Sequence, residues 1–167
     1  MTGLLGEELT RATLERLPRH LREPYLAVDI ATPLPVHVLD DIYYAVARGV
    51  RRDALPLHWR IVQNSVRSGL RNIWRTVVRS TSDAELVRRI PSIFLHAFSR
   101  GTIQARFIQP GMAEVRLTDW PGASELRVND IDATVHTVLS SARLGRVRTT
   151  PHSTIDGGCI LVTWRVD

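Results

Sequence analysis

Ile103-Gln104-Ala105-Arg106-Phe107-Ile108-Gln109-Pro110-Gly111-Met112-Ala113-Glu114-Val115-Arg116-Leu117-Thr118 alternates apolar and polar side chains with a period of two on either side of a Pro-Gly pair. Successive strand side chains point to opposite faces, so Ile103, Ala105 and Phe107 share one face, as do Ala113, Val115 and Leu117. Pro110-Gly111 supplies the turn chemistry between them. The stretch is a hairpin.

Downstream, Arg146 to Pro151 and Gly158 to Val166 read as a second hairpin, connected through Asp156-Gly157-Gly158. Between the hairpins, Asn129 is expected to cap a helix with Asp130 and Asp132 in its first turn. Ile131, Val135, Val138 and Leu139 form its buried stripe, and Gly145 stands near its end. The order is ββαββ.

Upstream the apolar period lengthens to that of helices. Glu7 to Leu17 carries Leu9, Leu14 and Leu17 and is stopped by Pro18, whereas Tyr25 to Pro35, close to Pro24 and containing Pro33, reads as a connection. From Pro35, the residues Val38, Leu39, Ile42, Tyr43, Val46 and Val50 recur at three- and four-residue steps up to Gly49 and its neighbour. Leu57 to Ser80 is the longest periodic segment, with Val62, Val66, Leu70, Ile73, Trp74 and Val77 on one side. Ser82-Asp83-Ala84-Glu85 is a capping box. Pro91 should kink the helix that follows, or split it in two, before Gly101. A sheet of ββαββ order cannot bury both faces by itself, so the predicted fold is α+β: one domain over residues 1–167, with N-terminal helices packed on a four-stranded antiparallel sheet.

Composition narrows the class. With 167 residues, 44% hydrophobic and 23% charged, the chain resembles an ordinary globular protein, able to bury roughly 70% of its unfolded surface. Its longest apolar runs, such as Ile93-Phe94-Leu95, fall far short of the roughly 20 residues that span a bilayer. The N-terminus lacks the basic start and apolar core of a secretory signal, which leads us to expect a cytoplasmic protein. Cys159 is the only cysteine, which excludes an internal disulfide and multi-cysteine metal sites. Its flanks Gly158 and Ile160-Leu161-Val162 suggest an inert thiol within a strand. All 22 basic residues are arginine, a usage that a GC-rich gene would produce by itself, so the net charge of +5 is weak evidence for a nucleic-acid partner.

Catalytic signatures are absent. No glycine loop ends in Lys-Ser or Lys-Thr, and there is neither GxGxxG nor GxSxG. His20, His37, His58, His96, His136 and His152 are too scattered to place two ligands on one element. His96, between Phe94 and Phe98, and His136 read as structural histidines. Asp40 and Asp41 are adjacent on a helix and diverge by about 100°, and Asp130, Asp132 and Asp156 have sufficient roles at a helix start and a turn. We therefore expect no catalytic residue, no metal site and no cofactor. Arg60, Arg67, Arg71, Arg75 and Arg79, continued by Asn64, fall within about one third of the circumference of the long helix. They are either a solvated face or a surface for an anionic partner.

The final stretch, Gly157-Gly158-Cys159-Ile160-Leu161-Val162-Thr163-Trp164, resembles the closing strand of the fold shared by four-vinyl reductase domains, haem-NO-binding domains and transport-particle subunits. Through Leu17-Pro18-Arg19 with Arg22-Glu23, Arg100-Gly101-Thr102, Asp119-Trp120-Pro121 and that terminal segment, the chain also resembles an uncharacterised paralogous family from myxobacteria. The resemblance covers the chain from about Arg11 to the end. It implies a small ligand-binding or regulatory module, often dimeric. The haem branch carries a Tyr-x-Ser-x-Arg motif for the porphyrin carboxylates, whereas Tyr25, Tyr43 and Tyr44 are followed two places on by Ala27, Ala45 and Val46, so haem binding of that type is not expected. Four-vinyl reductase domains can carry several cysteines, and this chain has one. The leading expectation is a cytoplasmic signalling or adaptor domain, with a small apolar or amphipathic ligand, a protein partner, or both, and a homodimeric assembly. An enzyme using a pocket histidine or Cys159 is one alternative. A nucleic-acid binder through the arginine row is another, though Trp59 and Trp74 are the only aromatics accompanying it.

Overall fold

A computed structural model describes residues 11, 14–15, 17–27, 35–69, 82–97, 100–142 and 145–166. They divide between two compact units, residues 1–61 and 62–167. The elements are α1 (Arg19–Ala27), α2 (Val36–Gly49), α3 (Ala54–Gly69), α4 (Asp83–Ala97), β1 (Thr102–Gln109), β2 (Met112–Thr118), α5 (Glu125–Ser141), β3 (Gly145–Thr154) and β4 (Gly157–Arg165). The fold is α+β, as expected.

In the first unit, α1 is a correction to the sequence reading, which expected a connection from Tyr25. Pro24 lies inside the helix and removes one amide. Packing overrides it: Leu21 and Tyr25, one turn apart, are buried together with Leu17 against Ile42, Ala45 and Val46 of α2. Arg22 secures the entry, donating from Nε to the Leu17 carbonyl at 3.0 Å and from Nη2 to the Glu15 carbonyl at 3.2 Å. Helix α2 begins where Pro35 predicts, its carbonyl accepting from the amides of Val38 and Leu39. The helix expected over Leu57–Ser80 is described as α3 up to Gly69; Leu70, Ile73, Trp74 and Val77 lie outside the described residues.

In the second unit, the Ser82 hydroxyl accepts from the Glu85 amide at 3.4 Å, the N-terminal half of the predicted capping box. Of the kink or split expected at Pro91, the split is corrected: α4 is one helix through the proline. Leu86, Val87, Ile90 and Phe94 keep its buried stripe on both sides of the proline. The Trp164 indole, donating to Asp83 Oδ2 at 2.7 Å, ties the helix start to β4.

The sheet is antiparallel in the order β1-β2-β4-β3. Helix α4 packs on β1, and α5 on β3 and β4. Between them they cover the face built by Ile103, Val115, Leu117, Ile160, Val162 and Trp164. Helix α5 starts earlier than expected: Ser124, not Asn129, is its cap, with its hydroxyl accepting from the Arg127 amide at 3.3 Å. Asp130 and Asp132 therefore lie inside the helix. The β3–β4 turn is Ile155-Asp156, and Gly157 and Gly158 belong to β4 itself, paired with Thr154 and Ser153. Pro151 is tolerated because β3 is an edge strand.

Candidate functional site

The predicted arginine row is placed in part. Arg60, Asn64 and Arg67 are exposed on α3, while Arg71, Arg75 and Arg79 lie outside the described residues. Arg60 and Arg67 are two turns apart and so share a face, away from the buried Val62.

The histidines whose side chains are described do not converge. His20, His37 and His152 are exposed. His58 is buried, its ring 4.4 Å from that of Tyr43 in an edge-on contact. His136 Nδ1 lies 3.4 Å from Gln63 Nε2. The side chain of His96 lies outside those described. Among the described residues no group of three or more His, Cys, Asp or Glu could hold a metal ion. Nor is any described helix long and apolar enough to cross a membrane.

A cluster that the sequence reading missed sits on the open face of the sheet. Register places Arg116 opposite Cys159, and Cys159 opposite His152. The Cys159 thiol donates to Glu114 Oε2 at 3.7 Å, and the same carboxylate accepts a fork from Arg116, 2.7 Å to Nε and 3.2 Å to Nη2. Period-two spacing relates Glu114 to Arg116, but their meeting with Cys159 depends on β2 pairing with β4, which no local pattern reveals. The hydrogen bond from Arg116 holds the Glu114 carboxyl below its ordinary value. Cys159 moves the other way: burial first, then the Glu114 carboxylate, push its thiol above the ordinary range. A nucleophilic cysteine needs the opposite shift, because the thiolate is the reactive form. Iodoacetamide at pH 8 should accordingly label Cys159 several-fold more slowly than free cysteine, and Glu114→Gln should speed the labelling. Mass-spectrometric time courses would check both; a faster rate than free cysteine would restore the thiol as a catalytic candidate.

No protein-family model matches the sequence, and no curated protein resembles it closely enough in sequence to count as a relative. Solved structures do match in fold. The Fe(II) unliganded H-NOX protein from K. algicida superposes with a TM-score of 0.73 at 6% identity, covering 99% of this chain and 91% of that one. An H-NOX protein from S. oneidensis in the Fe(II)NO ligation state gives 0.67 at 14% identity, over 99% and 93%. An H-NOX domain from Shewanella oneidensis in the Fe(II)CO ligation state gives 0.62 at 12%, over 89% and 87%.

Haem is named for the H-NOX family of this fold, and the donors of this chain differ from what its carboxylate motif requires. All three tyrosines lie on α1 and α2, none is followed by the serine and arginine of the porphyrin-carboxylate motif, and Tyr25 is buried in an apolar core. Of the histidines described, the two withdrawn from solvent already face Tyr43 or Gln63. These residues do not fit haem held in that mode. What this chain has in common with the H-NOX proteins is their fold.

Proposed function

We propose that the chain is a non-enzymatic signalling or adaptor domain that binds a small apolar or amphipathic ligand, a protein partner, or both. The observation that carries this reading is the fold likeness over 99% of the chain to proteins described in ligand-bound and ligand-free states. The raised pKa of Cys159 speaks against the enzyme alternative that used it. Within the same proposal, residues 1–167 act as one domain, cytoplasmic and homodimeric, of the myxobacterial paralogous family that the terminal Gly-Gly to Trp segment resembles. Arg60 and Arg67 on α3, together with Arg71, Arg75 and Arg79 of the row expected from the sequence, serve an anionic partner.

Native mass spectrometry of the purified chain tests this. A dimer retaining an organic ligand mass is expected. A bare monomer at every concentration, with no ligand mass, would remove the small-ligand and dimer parts together. Incubation with haem should give no Soret band above that of a non-binding control. A stoichiometric, saturable band lost on His96→Ala or His136→Ala would reverse the haem conclusion.

A further inference from the structure

Helices α4 and α5 cover one face of the sheet, and among the described residues the outward positions of the other face are mostly exposed or half-buried. Register places Arg106, Glu114 and Leu161 side by side across β1, β2 and β4, with Met112 and Thr163 in the next row. Arg116 stands in the row before, Arg148 flanks Thr163 on β3, and Arg165 follows at the end of β4. All four arginines are exposed. Leu161 is 37% exposed and Met112 half-buried, so the centre of this face is apolar and its margin basic.

Charge is one-sided here. Among the outward positions of the strand ladders Glu114 is the single carboxylate beside Arg106, Arg116 and Arg148, and Arg116 already holds it by a two-bond fork; Arg165, at the strand end, is itself engaged. An apolar centre within a polar margin is the arrangement of protein-binding hot spots, and arginine is enriched in them. Carboxylates match the guanidinium fork in geometry as well as charge. Phe107 and Trp164 contact each other on the covered face, which leaves the imidazole of His152 as the one ring among the outward strand positions. A single-stranded nucleic acid would find no row of rings as a stacking platform, which is worth about 1–3 kcal/mol per base in proteins that have one. With strands about 4.8 Å apart and outward rows about 6.8 Å apart, the patch is roughly 400 Å². That is about half of a standard interface per partner, which suits a peptide segment rather than a globular surface.

We propose that this open face docks an acidic segment of a protein partner, carrying an apolar side chain for Leu161 and Met112 between carboxylates for Arg106 and Arg148. The inference deepens the protein-partner part of the proposed function and rests on it.

The full chain, immobilised, is panned against a random dodecapeptide display library, and an enriched peptide is titrated by fluorescence anisotropy. Acidic sequences with a central apolar residue should be selected. Arg106→Glu with Arg148→Glu should weaken the peptide at least about tenfold, the scale of 1.4 kcal/mol, and binding should fall as salt rises. Arg19→Glu with Arg48→Glu, exposed on α1 and α2, should leave it unchanged, while Arg60→Glu with Arg67→Glu tests the α3 row as the rival site. Should the charge reversal disturb the thermal melt, Arg106→Gln with Arg148→Gln gives the same reading. Selection without acidic bias, undiminished binding to the sheet variants, or loss only in the α3 variant overturns the proposal. So does displacement of the peptide by a random single-stranded oligonucleotide at equal concentration, which would assign the face to nucleic acid. A retained small ligand in native mass spectrometry combined with failed selection would remove this proposal and leave the small-ligand function standing.

Discussion

Gly157→Ala should lower the unfolding free energy by about 3 kcal/mol or more, while Gly122→Ala should cost only about 1 kcal/mol. Both glycines have positive φ, +147° and +74°, so both substitutions meet backbone strain. They differ in their surroundings. A Cβ on Gly122 would have nothing within 4 Å, but on Gly157 it would run into the backbone carbonyl of Leu117. A strand backbone fixed by its ladder cannot yield as a side-chain tip can. The next residue adds to the constraint, because a Cβ on Gly158 would stand 2.9 Å from Val128 Cγ2 of α5. The Gly-Gly pair is therefore what lets β4 enter between β2 and α5 at their actual separation. Against a total stability of about 5–15 kcal/mol for a domain, the larger loss should shift the urea midpoint clearly, with circular dichroism as the readout. Equal losses for the two alanine variants would mean that the close approach at Gly157 is wrong.

The same glycines show what the sequence makes legible. Their presence after Asp156 reads as a turn, since glycine clusters usually are one, and only the neighbouring strand and helix reveal them as strand residues at a tight crossing. The first hairpin is readable from its alternation because the period of two is a local property. The order β1-β2-β4-β3 is not, because β2 meets β4 across a separation of more than forty residues, and with that pairing goes the Glu114–Arg116–Cys159 cluster. Local signals also misled where packing outweighed them. Pro24 and Pro91 each suggest a break, yet Leu21 with Tyr25, and Ile90 with Phe94, bury enough apolar surface at four-residue spacing to keep α1 and α4 continuous. Asn129 looked like a cap because aspartates follow it, although Ser124 also stands three residues before an amide it can accept from. Of the arginine row, Arg60 and Arg67 are exposed as expected on a helical period.

Moving the start of α5 to Ser124 changes the meaning of Arg127. As a residue before the helix it would be a surface cation; in the first turn it is 3% exposed, with Nη1 3.2 Å from Asp130 Oδ2 one turn along. Asp132 is likewise buried, at 5% exposure. Desolvating a guanidinium is costly, and its attraction to a carboxylate in a low dielectric offsets that cost only while the partner is present. Arg127→Met keeps the apolar stem and removes the charge, leaving Asp130 and its surroundings without their cation. We expect a loss of about 3 kcal/mol from that single change. Adding Asp130→Leu, which removes the stranded carboxylate, should recover at least half of it, since an apolar pair of similar volume is often no less stable than the ion pair it replaces. A double-mutant cycle in urea would therefore show strong coupling of the two sites. If the two changes were additive, or if Arg127→Met cost less than about 1 kcal/mol, the pair would be acting as a surface ion pair does, and the burial of Arg127 beneath the start of α5 would have to be abandoned.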